Sequence, residues 1–79
     1  MNNELVSIIT PLYNSEKFIK DTIESVINQT YKNWEMIIVD DASSDKSVSI
    51  VEKINNNNII LIKNKVNIGP ALTRNKAIQ

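Results

Sequence analysis

The chain has 79 residues with nine lysines plus arginines against nine aspartates plus glutamates, so no net field directs it to nucleic acid or an anionic membrane. It contains no cysteine and no histidine, which excludes disulfides, thiolate chemistry, an imidazole base and the usual zinc ligands. At this size it forms at most one small domain, burying about 60% of the surface its unfolded form exposes.

The first five residues, MNNEL, carry an acid where a secretory leader carries positive charge, and no apolar run approaches the ~20 residues of a membrane span. A cytoplasmic chain without a membrane segment is the expectation. The first apolar run, Leu5 to Thr10, is rich in β-branched residues and reads as a strand. Its turn, TPLYN, brings Pro11, Tyr13 and Asn14 to the strand's end. Behind it Ile19, Ile23, Val26 and Ile27 form one helical stripe, with Asn14 or Ser15 as the cap and Glu16 suited to the positive end of the helix dipole.

The second strand, Trp34 to Asp40, ends abruptly in Asp40 and Asp41. After it Val48, Val51 and Ile54 share a helical face behind Ser44 or Asp45 as cap. The run Asn55 to Asn58 makes a polar connection to a third strand, Asn58 to Lys63. Gly69 then supplies a backbone bend, Pro70 a first helical position, and the remaining residues a third helix. Trp34 reads as core or sheet-edge packing, and Lys32, Lys63 and Lys65 as solvated.

The order β-α-β-α-β-α, with near-continuous apolar strands, predicts an α/β fold: three parallel strands with helices on the faces, half of a doubly wound, Rossmann-like domain. No repeat or linker divides residues 1–79. Ligands bind such sheets outside the strands' carboxyl ends, where Asp40 and Asp41 must lie. A carboxylate there suits a ribose diol or the N–H edge of a pyrimidine, and Tyr13 adds an aromatic wall. The competing reading is purely structural, a turn and a helix cap. Arg74, the only arginine, is placed at the same edge by a regular crossover. The loop after the first strand lacks glycine, which excludes the dinucleotide fingerprint, the P-loop and a nucleotidyltransferase activating loop. No obvious set of oxygen ligands converges for a metal.

Three phrases, Val6 to Asn14, SVINQTYKNWEMIIVDDASSD, and an Asn-x-Gly turn leading to ALTRN, together resemble the amino-terminal part of family 2 glycosyltransferases, the inverting family of GT-A fold. The resemblance covers Val6 to Ile78. It implies that residues 1–79 are part of a nucleotide-sugar-binding domain whose donor is a UDP-sugar, with Pro11 and Tyr13 framing the base. Asp41 would hold the uracil, Asp40 would support it, and Arg74 would line the nucleotide pocket. The family's Asp-x-Asp metal motif and catalytic base are absent from the sequence, so magnesium or manganese is expected of a longer parent and none of this chain. The resemblance thus implies a truncated domain, inactive alone, from an enzyme that moves a sugar to a glycan or lipid acceptor with inversion. It also implies that the first strand, central in the complete fold, is an exposed edge through which the chain self-associates. The reading from another class is a noncatalytic module that binds a uridine nucleotide or a protein.

Overall fold

The computed structural model describes residues 4–54 and 56–69. Within them the order is β1 (Val6–Leu12), α1 (Ile19–Ile27), β2 (Trp34–Asp40), α2 (Ser47–Lys53) and β3 (Ile59–Lys63). The expected third helix, Pro70 and Arg74 lie outside the described residues.

The strands form one parallel sheet in the order β1-β2-β3. The central strand pairs Val6 with Trp34 through to Leu12 with Asp40 on one side, and Met36 with Ile59 through to Asp40 with Lys63 on the other. This register brings the ends of all three strands level at Leu12, Asp40 and Lys63. The loops that follow therefore share one edge.

Side chains alternate across a strand, so Trp34, Met36 and Ile38 share a face. All three are buried in a cluster with Leu12 of β1, Ile19 and Ile23 of the first crossover and Val51 of the second. Burying a side chain such as Ile23, which has no exposed surface, stabilises the fold by roughly 1.5–3 kcal/mol. Because one cluster takes residues from both α1 and α2, the two described helices lie on the same face of the sheet. The third expected helix lies outside the described residues, so only these two are placed. Two successive right-handed crossovers in one direction keep both on one side.

Two boundaries differ from expectation for physical reasons. Pro11 and Leu12 belong to β1 rather than to its turn, since the ladder with Val39 and Asp40 continues through them, and β1 is an edge strand of the described sheet, where a proline is tolerated. Neither Asn14 nor Ser15 caps α1 with its side chain. The Ser15 carbonyl accepts the amides of Phe18 and Ile19 at 2.9 Å each, a tight turn that delays the helix to Ile19. The cap position of α2 is Lys46, which makes no side-chain capping bond, and Asp45 just before it accepts the Ser47 amide on Oδ1 at 2.9 Å. Lys32 donates to the carbonyl of Ile27 at 3.2 Å, closing the end of α1, so it is more than a solvated charge. Lys63 pairs with Glu52 at 3.5 Å, both well exposed, a bridge worth little to stability.

Candidate nucleotide-binding edge

The level strand ends put three loops together, and two are tied by a run of consecutive hydrogen bonds. The amides of Asn14, Ser15 and Glu16 donate in order to Ser43 Oγ (2.9 Å), Ser47 Oγ (2.8 Å) and Asp45 Oδ2 (3.1 Å). The Ser44 amide returns a bond to Asn14 Oδ1 at 2.8 Å. Asn14 and Ala42 both hold positive φ, 46° and 61°, which turns each loop sharply enough for the two to face each other. Ser47, fully buried, stands at the middle of this clasp. Burial of the Asp45 carboxyl pushes its pKa up, but hydrogen bonds from Ser47 and from the Glu16 amide outweigh that, and the net direction is below the ordinary aspartate value.

The third loop is held by Asp41. Its amide donates to the Leu12 carbonyl at 2.8 Å, which continues the line of β2 past the sheet and turns the carboxylate toward the segment after β3. There Oδ1 accepts Asn64 Nδ2 at 3.0 Å and the Ile68 amide at 2.8 Å, while Oδ2 accepts the Gly69 amide at 2.9 Å. The Asp41 carbonyl accepts Asn67 Nδ2 at 3.3 Å. Gly69 has φ of 90°, a conformation that side chains resist, and this bend aims its amide back at Asp41.

A cavity of about 450 Å³ opens between the first and third loops, lined by Pro11, Leu12, Tyr13, Ser15, Asp41, Asn67 and Gly69. Pro11, Tyr13 and Asp41 are thus brought together as the sequence suggested. Tyr13 is half exposed at the rim, whereas Asp41 is 3% exposed at the wall. Asp40 is equally buried but does not line the cavity: its Oδ2 accepts the Ser43 amide at 3.2 Å and steadies the turn. Its Oδ1 has no hydrogen-bond partner among the described residues. Trp34 is buried in the core, away from this edge. Asp45 is directed to the clasp and not to Asp41, and no three acidic side chains converge among the described residues.

Sequence reading did not single out Ser43, Ser47, Asn64 or Asn67. Small polar residues in loops carry no periodic signal, and their importance comes from which amides the strand register sets opposite them.

A parallel sheet with a cavity at its carboxyl edge is an α/β arrangement, and that edge is where such sheets bind ligands. Comparison with known proteins is more specific: a match to glycosyl transferase family 2 runs over residues 7–79, and the chain belongs to that family. It is 49% identical over 76 residues to the UDP-Glc:alpha-D-GlcNAc-diphosphoundecaprenol beta-1,3-glucosyltransferase WfaP of Escherichia coli, an alignment covering 96% of this chain and 30% of WfaP. The structure of S. aureus TarS 1-349 in complex with UDP-GlcNAc superposes with a TM-score of 0.88 at 37% identity, over 95% of this chain and 23% of TarS. A mannosyltransferase from Pyrobaculum calidifontis, in complex with GDP-Man and Mn2+, gives a TM-score of 0.84 at 28% identity, over 92% of this chain and 23% of its own. The fold is that of GT-A glycosyltransferases, and the chain spans less than a third of the relatives it matches.

Proposed function

We propose that residues 1–79 form the nucleotide-recognition part of a glycosyltransferase whose donor is a UDP-sugar. The observation that carries this reading is the Asp41 carboxylate, buried in the wall of a cavity beneath Tyr13 and Pro11. An anionic acceptor in a partly apolar cleft suits the N–H edge of uracil, with the tyrosine ring at the rim to cover the base. The UDP-GlcNAc complex of TarS and the UDP-Glc named for WfaP support the choice of donor. The family resemblance adds Arg74, in the Arg-Asn pair, as a further nucleotide contact, at a position outside the described residues. Asp40 acts behind Asp41 by holding the turn through Ser43.

The whole enzyme would pass the sugar to a glycan or lipid acceptor with inversion, on the cytoplasmic side of the membrane. The diphosphoundecaprenol acceptor in the name of WfaP supports the lipid class. Inverting transfer needs a base for the acceptor hydroxyl and stabilisation of the leaving diphosphate, which a divalent cation supplies in such enzymes. The described residues offer no cluster of acidic groups suited to that cation. The role of this stretch is to bind and orient the nucleoside, and alone it catalyses no transfer.

The test is an amide correlation spectrum of the labelled chain titrated with UDP, with and without magnesium. Shifts confined to residues around Tyr13, Asp41 and Gly69, independent of magnesium, are expected. A chain that gives a dispersed spectrum and no response to millimolar UDP would overturn the reading, as would a collapsed spectrum.

A further inference from the structure

We propose that Asn14 is a positioning residue for the base: by tying its own peptide to the loop after β2, it fixes where the Tyr13 ring stands over the cavity. This rests on the nucleotide reading above and concerns what holds the aromatic wall of the site.

Tyr13 is 51% exposed at the rim of the cavity, so packing alone does not set the direction of its ring. The backbone on either side must. On one side Leu12 is fixed by its pairing with Asp40 at the end of β1. On the other stands Asn14, and the ψ of Tyr13 and the φ of Asn14 flank a single rigid peptide plane. That plane is held at both its oxygen and its nitrogen. The Tyr13 carbonyl accepts Ser15 Oγ at 3.0 Å, and the Asn14 amide donates to Ser43 Oγ at 2.9 Å. The Asn14 side chain adds a second tie to the opposite loop, its Oδ1 accepting the Ser44 amide at 2.8 Å and Ser44 Oγ at 3.4 Å.

Asn14 is exposed and stands outside the core cluster, so these ties serve the loop rather than the apolar interior. With φ of 46° the position asks two things of its residue: ease at positive φ, and an acceptor on a short side chain. Glycine meets only the first and serine only the second, whereas asparagine and aspartate meet both. Without the Oδ1 acceptor the loop that carries Tyr13 samples other directions, and the cost of ordering it falls on binding. The net worth of one hydrogen bond sets the scale of that loss at about threefold to tenfold in affinity.

The experiment is a nuclear magnetic resonance titration of the 79-residue chain, Asn14→Gly and Asn14→Asp with uridine, which carries no phosphate for an added carboxylate to repel. The glycine variant keeps the backbone conformation and loses the acceptor; the aspartate variant keeps both. A dispersed spectrum is expected from all three. Uridine affinity should fall by about threefold to tenfold in the glycine variant and stay within about twofold of wild type in the aspartate variant. At saturating uridine, cross-relaxation between the Tyr13 ring and the uracil protons should be present in wild type and Asn14→Asp and weakened in Asn14→Gly, a readout that a merely structural Asn14 would leave unchanged. A glycine variant with wild-type affinity or unchanged cross-relaxation, one with a collapsed spectrum, or an aspartate variant as weak as the glycine one would each overturn the inference and leave the nucleotide reading standing. A folded wild type that does not bind uridine removes both.

Discussion

Asp41→Asn changes one oxygen to an NH2 and almost no volume, yet at least three donors from the described residues converge on the carboxylate it replaces. The better orientation of the new amide keeps its oxygen toward Asn64 and Ile68 and turns its NH2 against the Gly69 amide. That leaves one buried N–H unpaired, at about 1–3 kcal/mol, and removes charge assistance from the two remaining bonds. The neutral side chain recovers part of the cost of burying a charge, so we expect a net loss of about 2 kcal/mol. For a chain of this length, whose whole stability is roughly 4–12 kcal/mol, that is a large share, and it corresponds to a fall in Tm of roughly 8–16 °C. Urea unfolding followed by far-ultraviolet circular dichroism measures it, with an unchanged m-value as the sign that the native state is the one affected. Asp40→Asn is the control. Only its Oδ2 accepts a bond from the described residues, and the variant should lose less than about 1 kcal/mol. Equal losses at the two positions, or a loss below about 0.5 kcal/mol at Asp41, would refute the three-donor account.

Ser47→Ala removes the acceptor of the half-buried Ser15 amide and should cost about 1 kcal/mol by the same unfolding measurement, with weakened UDP binding because Tyr13 stands on the loop that is released. Ala42→Gly relieves the positive φ of 61° and should stabilise the chain by about 1 kcal/mol, read as a higher urea midpoint. The folded-state pKa of Asp45 lies below its unfolded value, so its contribution is present above the ordinary value of about 3.9 and is lost as pH falls through the lowered one. Asp45→Asn should therefore flatten the acid limb of stability against pH in that window, and an unchanged limb would remove Asp45 from the clasp.

The parts of the fold that depend on apolar pattern were legible in the sequence. The stripe Ile19, Ile23, Val26 and Ile27 faces the core as read, and β2 has the bounds its apolar run suggested. Pro11 was misplaced by one element because a turn-forming residue at an edge strand looks the same in sequence as one in the turn. Side-chain caps were expected of Asn14 and Ser15 by residue type, but the opposing loop takes Asn14 into the clasp and the Ser15 carbonyl closes the turn instead. The site was half legible. A doublet of acids at a strand end announces itself, whereas Asn64 and the Ile68 and Gly69 amides become partners of Asp41 only through a register 23 to 28 residues away in the chain.

Among the described residues β1 pairs with a strand on one side only, and Leu5 is 55% and Val6 47% exposed, so this flank offers apolar side chains to another strand and concentration-dependent association in sedimentation is the expected consequence.

The most direct test of the central claim is a crystal structure of the chain with UDP bound. The account predicts the uracil in the cavity beneath Tyr13, with its ring N–H within about 3 Å of an Asp41 carboxylate oxygen. Uracil seated elsewhere, or in the cavity with Asp41 turned wholly into the Asn64 and Gly69 loop and touching no base atom, would contradict it.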